Sequence, residues 1–438
     1  MDYQRILKKR GGVQRISLWA VVGILLLLLT ACDTTDVATT TAPYVATFSA
    51  VSCHDTTPSG DWPMYLGNGA RTSYSDDKAN PLNATTAPNL KGCWLYQADS
   101  PISTQAVESD GRVYWGSWDG NEHATDLLGK QVWKTNVGVA INNHCTPSYV
   151  GVASTAAVDS VMLNGSGTPM VFVGGGDANV YALNARTGAV IWKTSLGASP
   201  DHFIWSSPVV FNGSVYIGLA SFGDCPLVQG RLFQLQASTG TVQHSFDVIP
   251  PECLGGGVWG SPAIDEDKQT IYIGVGEAVP CKKATPYADS MIELSASDLK
   301  PLGSWQVPAA EATEDGDFGS TPVLFEAKIN GALHKMVGVV NKNGTFYTFE
   351  RDNVAKGPVW KAKAAIAGTC PDCGGGTIAP AAWDGTALYT AGTQAKIDGK
   401  TCAGIVQALK PDTGATIWNK CLSRPVLGAV TLVPGVVI

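Results

Sequence analysis

The sequence predicts an all-β chain, a β-propeller of four-stranded blades, on three observations. The first is alternation. Residues 171–197 read VFVGGGDANVYALNARTGAVIWKTSLG, with apolar residues at period two broken by turn residues that accept positive φ, a β-meander. The second is recurrence. Val113-Tyr114-Trp115-Gly116, Val215-Tyr216-Ile217-Gly218, Ile271-Tyr272-Ile273-Gly274, Val337–Val340 and Leu388-Tyr389 repeat the inner strand, and each leads on to an aromatic residue (Trp133, Phe246, Trp305, Trp360, Trp418). The third is spacing. Small-residue openings such as Ser206-Ser207-Pro208 and Ser320-Thr321-Pro322 precede each copy. The steps between Val107, Val158, Val210, Ile264, Leu324, Ala382 and Leu432 are 51, 52, 54, 60, 58 and 50 residues. A four-stranded unit at that period is a propeller blade.

Taken in order, the chain opens on a basic segment (Arg5, Lys8, Lys9, Arg10, Arg15) and an apolar run from Leu18 to Leu29, ending in Leu29-Thr30-Ala31-Cys32. The run is short for a membrane span and ends in small residues. This arrangement resembles a bacterial lipobox. It implies a signal peptide over 1–31 and diacylation of Cys32, which becomes the mature N-terminus; the competing reading is an uncleaved signal anchor. Asp33 can favour inner-membrane retention where two membranes exist. Residues 32–52, rich in Thr, Ala and Ser, read as a flexible tether. Residues 53–438 are assigned to the propeller. Within Asp61–Tyr96 the last part, Asn89-Leu90-Lys91 before Trp94, reads as a strand that closes the ring, because closure removes open sheet edges. The chain stops at Val436-Val437-Ile438, inside a seventh copy. The expectation is an eight-bladed type with six full blades, partial closing blades and a truncated C-terminus.

The precursor carries a net charge of −7. Removing 1–31, with five basic residues and one acidic, leaves 25 against 36, or −11. That balance argues against nucleic acid as a partner. Beyond Cys32 ten cysteines remain, an even number in an exported chain, which favours disulfides. Eight lie in segments joining strands two and three of a blade or one blade to the next, so one face is expected to be cross-linked. Cys402–Cys421 and Cys225–Cys253 are the favoured pairs, and Cys370-Pro371-Asp372-Cys373 reads as a local disulfide. The six histidines show no metal-ligand spacing, and no Ser-His-Asp signature stands out.

Ala182-Leu183-Asn184-Ala185-Arg186-Thr187-Gly188 with Trp192, and Ala408–Gly414 with Trp418, resemble the tryptophan-docking motif of pyrroloquinoline-quinone (PQQ) propellers. The Asp61–Leu90 segment resembles the N-terminal signature of bacterial quinoproteins. Gly255-Gly256-Gly257-Val258-Trp259-Gly260 is similar to the segment whose Trp forms the floor under PQQ; the alternative is that Trp259 only packs a blade start. Glu314-Asp315-Gly316-Asp317-Phe318-Gly319 resembles the paired-acid segment of PQQ alcohol dehydrogenases, most closely the polyvinyl-alcohol dehydrogenases. The resemblance implies Asp315 as general base, with Asp317 assisting at the cofactor or a metal. Asn341-Lys342-Asn343-Gly344 resembles the segment whose Lys reaches the quinone oxygens; the alternative is an Asn-Gly hairpin with a surface Lys. At the family's calcium positions stand Glu277 and, offset by one, Asp224. The adjacent Cys-Cys pair of many family members is missing.

Two functions follow. One is a membrane-tethered, extracytoplasmic quinoprotein dehydrogenase that oxidises a small or polymeric alcohol with PQQ and calcium and passes electrons to an acceptor. The other is a cofactor-free propeller lipoprotein acting as a protein–protein scaffold, since the repeats alone fix fold and not activity.

Overall fold

The computed structural model describes residues 60–77, 82–371 and 373–438. The signal peptide, the tether and Cys32 lie outside the described residues. No helix among the described residues is long and apolar enough to cross a membrane. Six antiparallel four-stranded meanders follow one another in the chain. They are blade 1 (residues 107–136), blade 2 (157–195), blade 3 (209–247, with an added two-residue strand at His202–Phe203), blade 4 (263–306), blade 5 (323–363) and blade 6 (382–422). A short hairpin pairs Leu432 with Val437. The alternation in the sequence fixes the register: Val171 to Gly174 of blade 2 pairs with Leu183 to Val180, so both buried rows meet those of the neighbouring blades.

The aromatic residue of the fourth strand carries the contact between blades. The Trp133 indole N–H donates to the Ala185 carbonyl (2.9 Å), Trp192 to Ala237 (2.9 Å) and Trp360 to Pro411 (3.0 Å). A Cβ on the turn glycine of the receiving blade would lie 2.7 Å from Trp133 at Gly188, and 2.4 Å from Trp192 at Gly240 or from Trp360 at Gly414. Glycine at those turns is therefore what lets the indole lie flat on its neighbour.

Two expectations change. The segment around Trp94 is not a ladder strand: residues 90–98 join no sheet among the described residues. Trp94 nonetheless docks like the others, its indole N–H on Leu127 O (2.9 Å) and its ring over Gly129. The second change is the role of the preceding segment, which visits every blade. Trp62 pairs with Glu108 of blade 1, and the amide of Val158 in blade 2 donates to Pro63 O. The amides of Ile264, Leu324 and Trp383, in the opening strands of blades 4, 5 and 6, donate to Gly69, Ala70 and Thr72, and that of Leu432 in the terminal hairpin donates to Ser73. The wholly buried Arg71 guanidinium reaches Ser207 and Pro208 just before blade 3 and Pro262 just before blade 4. The segment is a hub across the inner strands.

The cysteines also correct a pairing. Cys402–Cys421 and Cys370–Cys373 form as expected. Cys225–Cys253 does not: Cys225 bonds Cys145, and Cys253 bonds Cys281. Each of these two bonds runs from a blade-to-blade connection to a strand-two-to-three loop of a following blade. Cys225 faces the connection between blades 1 and 2, while Cys253 is turned towards the blade 4 loop.

Candidate active site

Six loops on the cross-linked face converge on one cavity of about 220 Å³. The blade 3–4 connection supplies Gly255, Gly257 and Trp259. The blade 4–5 connection supplies Asp315 and Asp317. The loops after the second strands of blades 3, 4 and 5 supply Asp224, Glu277 and Lys342. Trp205, Phe222 and Leu227 complete the wall. All six side chains named from the sequence as catalytic, cofactor or metal residues thus line a single space, although they span residues 224 to 342.

Trp259 forms part of the floor. Its ring lies so close over Gly319 that a Cβ there would sit 1.9 Å from it. Beneath Trp259 and Trp205 is a second, axial cavity of about 350 Å³. The opening strands bordering it are linked by a belt of hydroxyls: Thr155, Ser207, Ser261 and Thr321 each accept the amide of the opening strand one blade earlier. The Lys342 Nζ stands 5.1 Å from the centroid of the Trp259 ring. It bonds Asp315 Oδ1 at 2.7 Å and Asp317 Oδ2 at 3.1 Å. The Asp317 Oδ1 accepts the Glu277 amide at 2.6 Å, across a point where a Cβ on Gly276 would lie 2.9 Å away.

The electrostatics set the roles apart. Burial pushes the Asp315 carboxyl up to about 6, against the pull of Lys342. Burial acts to lower the Lys342 ammonium, but Asp317 and Asp315 outweigh it and hold it above its ordinary value. Glu277 is raised by burial and by the charges of Asp317, Asp315 and Asp224. Carboxylates crowded in this way suit a hard cation, although among the described residues no three His, Cys, Asp or Glu side chains form a preformed metal cluster. The flat indole floor, the lysine above it and the glycine-lined walls (Gly223, Gly255, Gly257, Gly276) fit a planar anionic quinone.

Sequence reasoning missed the support behind these groups. The buried Asn341 amide donates to the Gly316 carbonyl, between the two aspartates, and to Asp289 Oδ1 at 3.0 Å. Burial, with Asp317 and Glu277, pushes Asp289 up to about 7. Asp289 stands 52 residues from Asn341 and in no motif, so nothing local marks it.

A family model described as "Glucose/ethanol/alcohol dehydrogenase, beta-propeller domain" matches residues 62–365. A quinohemoprotein alcohol dehydrogenase of Comamonas testosteroni is 26% identical over 333 residues, covering 67% of this chain and 45% of that protein. A polyvinylalcohol dehydrogenase of a Sphingopyxis species is 24% identical over 388 residues, 77% of this chain and 56% of that one. The chain therefore spans about half the length of the curated relatives it matches. Among solved structures, the Comamonas testosteroni quinohemoprotein alcohol dehydrogenase superposes with a TM-score of 0.64 at 18% identity, covering 87% of this chain and 76% of that chain. A europium-containing methanol dehydrogenase gives 0.66 at 16% identity, covering 86% and 81%. At these identities the two structures show a shared fold.

Proposed function

The chain belongs to the PQQ β-propeller family of glucose, ethanol and alcohol dehydrogenases, and on that premise we propose that it is a quinoprotein dehydrogenase that oxidises an alcohol, tethered outside the cytoplasm by a lipid on Cys32. The observation that carries the activity is the convergence of Asp315, Asp317 and Lys342 over the face of Trp259 in one cavity. Bound there, PQQ supplies a quinone that accepts hydride. Trp259 and Lys342 would hold it, while Glu277 and Asp224 would hold calcium. The Asp315 carboxylate accepts the alcohol's O–H proton. Lys342, itself 8% exposed, offers a fixed positive charge where negative charge develops. Asp317 holds that lysine and, through the Glu277 amide, the neighbouring loop.

The test is reconstitution of the mature protein with PQQ and calcium, read by quinone absorbance, tryptophan quenching and alcohol-dependent dye reduction. Lys342→Ala is expected to weaken PQQ binding. Asp315→Asn is expected to bind PQQ but turn over on the order of 10²–10⁴-fold more slowly. A folded protein that binds no PQQ overturns the reading and leaves the scaffold. The anchor rests on the leader and on the disulfides, which belong to an oxidising compartment. Cys32→Ser should shift the protein from the membrane to the soluble fraction; unchanged partitioning counts against it.

A further inference from the structure

The lip of the cavity is the loop of blade 3 that carries Phe222, Gly223, Asp224 and Leu227. From Phe222 to Val228 this loop joins no sheet. Three kinds of contact hold it. Its ends are tied by Phe222 N–H to Asp201 O (2.9 Å) and Val228 N–H to Ser221 Oγ (2.9 Å). Its middle is fixed by the Cys145–Cys225 bond and by the Asn142 amide on Cys225 O (3.1 Å), both from the connection between blades 1 and 2. The bond also sits inside the aromatic cluster behind the wall. Cys145, Phe203 and Phe222 share one buried core with Trp205 and Cys225 packed on it, and the Phe203 and Trp205 rings are 4.5 Å apart. Beyond the lip, Gly255 bridges Gln229 on one side and Ala278 on the other, and Cys253–Cys281 ties the next two loops. The rim is thus a continuous arc, of which Cys145–Cys225 is the end nearest the aromatic wall.

We propose that the Cys145–Cys225 disulfide is a positioning element for the cofactor cavity, fixing the 222–227 lip so that retention of PQQ depends on it; this rests on the quinoprotein reading above. Phe222 and Trp205 pack on the bond, so breaking it loosens the wall as well as Asp224. A ligand that must order a loosened lip binds more weakly, and the loss falls mainly on its dissociation rate. Cys402–Cys421 is the contrast. It joins a short hairpin (Ala395–Cys402) to the outer strand of blade 6, and neither cysteine lines the cavity.

The experiment compares wild type, C145S/C225S and C402S/C421S as full-length protein. PQQ affinity and dissociation rate are followed by tryptophan fluorescence, below the melting temperature measured for each apoprotein. The expected result is PQQ release at least about tenfold faster in C145S/C225S, with C402S/C421S close to wild type. Equal release from all three proteins overturns the proposal, as does equal acceleration in both variants. Failure of wild type itself to bind PQQ overturns the quinoprotein reading instead. If C145S/C225S does not fold, folded wild type reduced at this bond by a phosphine and alkylated, verified by mass spectrometry, gives the same comparison.

Discussion

Asp315 sits at φ 53, in the left-handed region, directly before Gly316. The backbone there turns the carboxylate to Lys342, while burial holds the group near 6. A general base must be ionised, and the ionised fraction grows as pH rises through about 6. In the reconstituted enzyme kcat/KM should therefore climb about tenfold per pH unit below that value and level off above it. Asp315→Asn should lose the climb; a profile flat from pH 4 to 8 in the wild type would contradict the assignment. The same shift has a stability sign. The folded state binds this proton more tightly than the unfolded chain does, so its contribution is present at low pH and is lost as pH rises towards 6. That Asp315, Asp317 and Lys342 converge was legible through their motifs, which resemble quinoprotein segments. Asp289 was not, because its contact with Asn341 exists only once blades 4 and 5 are packed together.

A blade becomes part of the ring through its fourth-strand aromatic. Trp192 is buried and bonded to the next blade, whereas Trp418 is 40% exposed. Trp192→Ala should cost about 3–5 kcal/mol, and Trp418→Ala about 0.5 kcal/mol or less, both measured by denaturant unfolding. Comparable losses at the two positions would refute the docking account. Pattern placed Trp192 correctly because strand period and turn glycine are local properties, whereas the matching motif at Trp418 leaves its ring 40% exposed. It misassigned Cys225 because which loop faces which is set by the order of blades around the ring. The Cys402–Cys421 pair was readable because both residues belong to one meander.

Across the whole molecule, the hub of residues 62–75 joins blades that are far apart in the chain. Arg71 donates to four carbonyls (Tyr65, Ser207, Pro208 and Pro262) with no solvent access, and burial lowers its guanidinium to about 9. Arg71→Ala strands buried acceptors at the entries of two blades and removes a contact between them. A loss of about 2–4 kcal/mol is expected, together with weaker cooperativity in equilibrium unfolding. A neutral substitution would show that the hub is dispensable.

Strand period, turn glycines and docking residues such as Trp192 were readable along the chain, apart from the segment around Trp94, and motifs resembling those of quinoproteins named six of the residues that line the cavity. Those depend on period two, on glycine at tight turns and on short motifs, all of which are local. The packed blades alone reveal that residues 62–75 run across the inner strands, that Cys145 bonds Cys225, and that Asn341 and Asp289 brace the acid loop. Cys145 and Cys225 are 80 residues apart, and Asp289 and Asn341 are 52 apart; such groups meet only after several blades have packed around one axis.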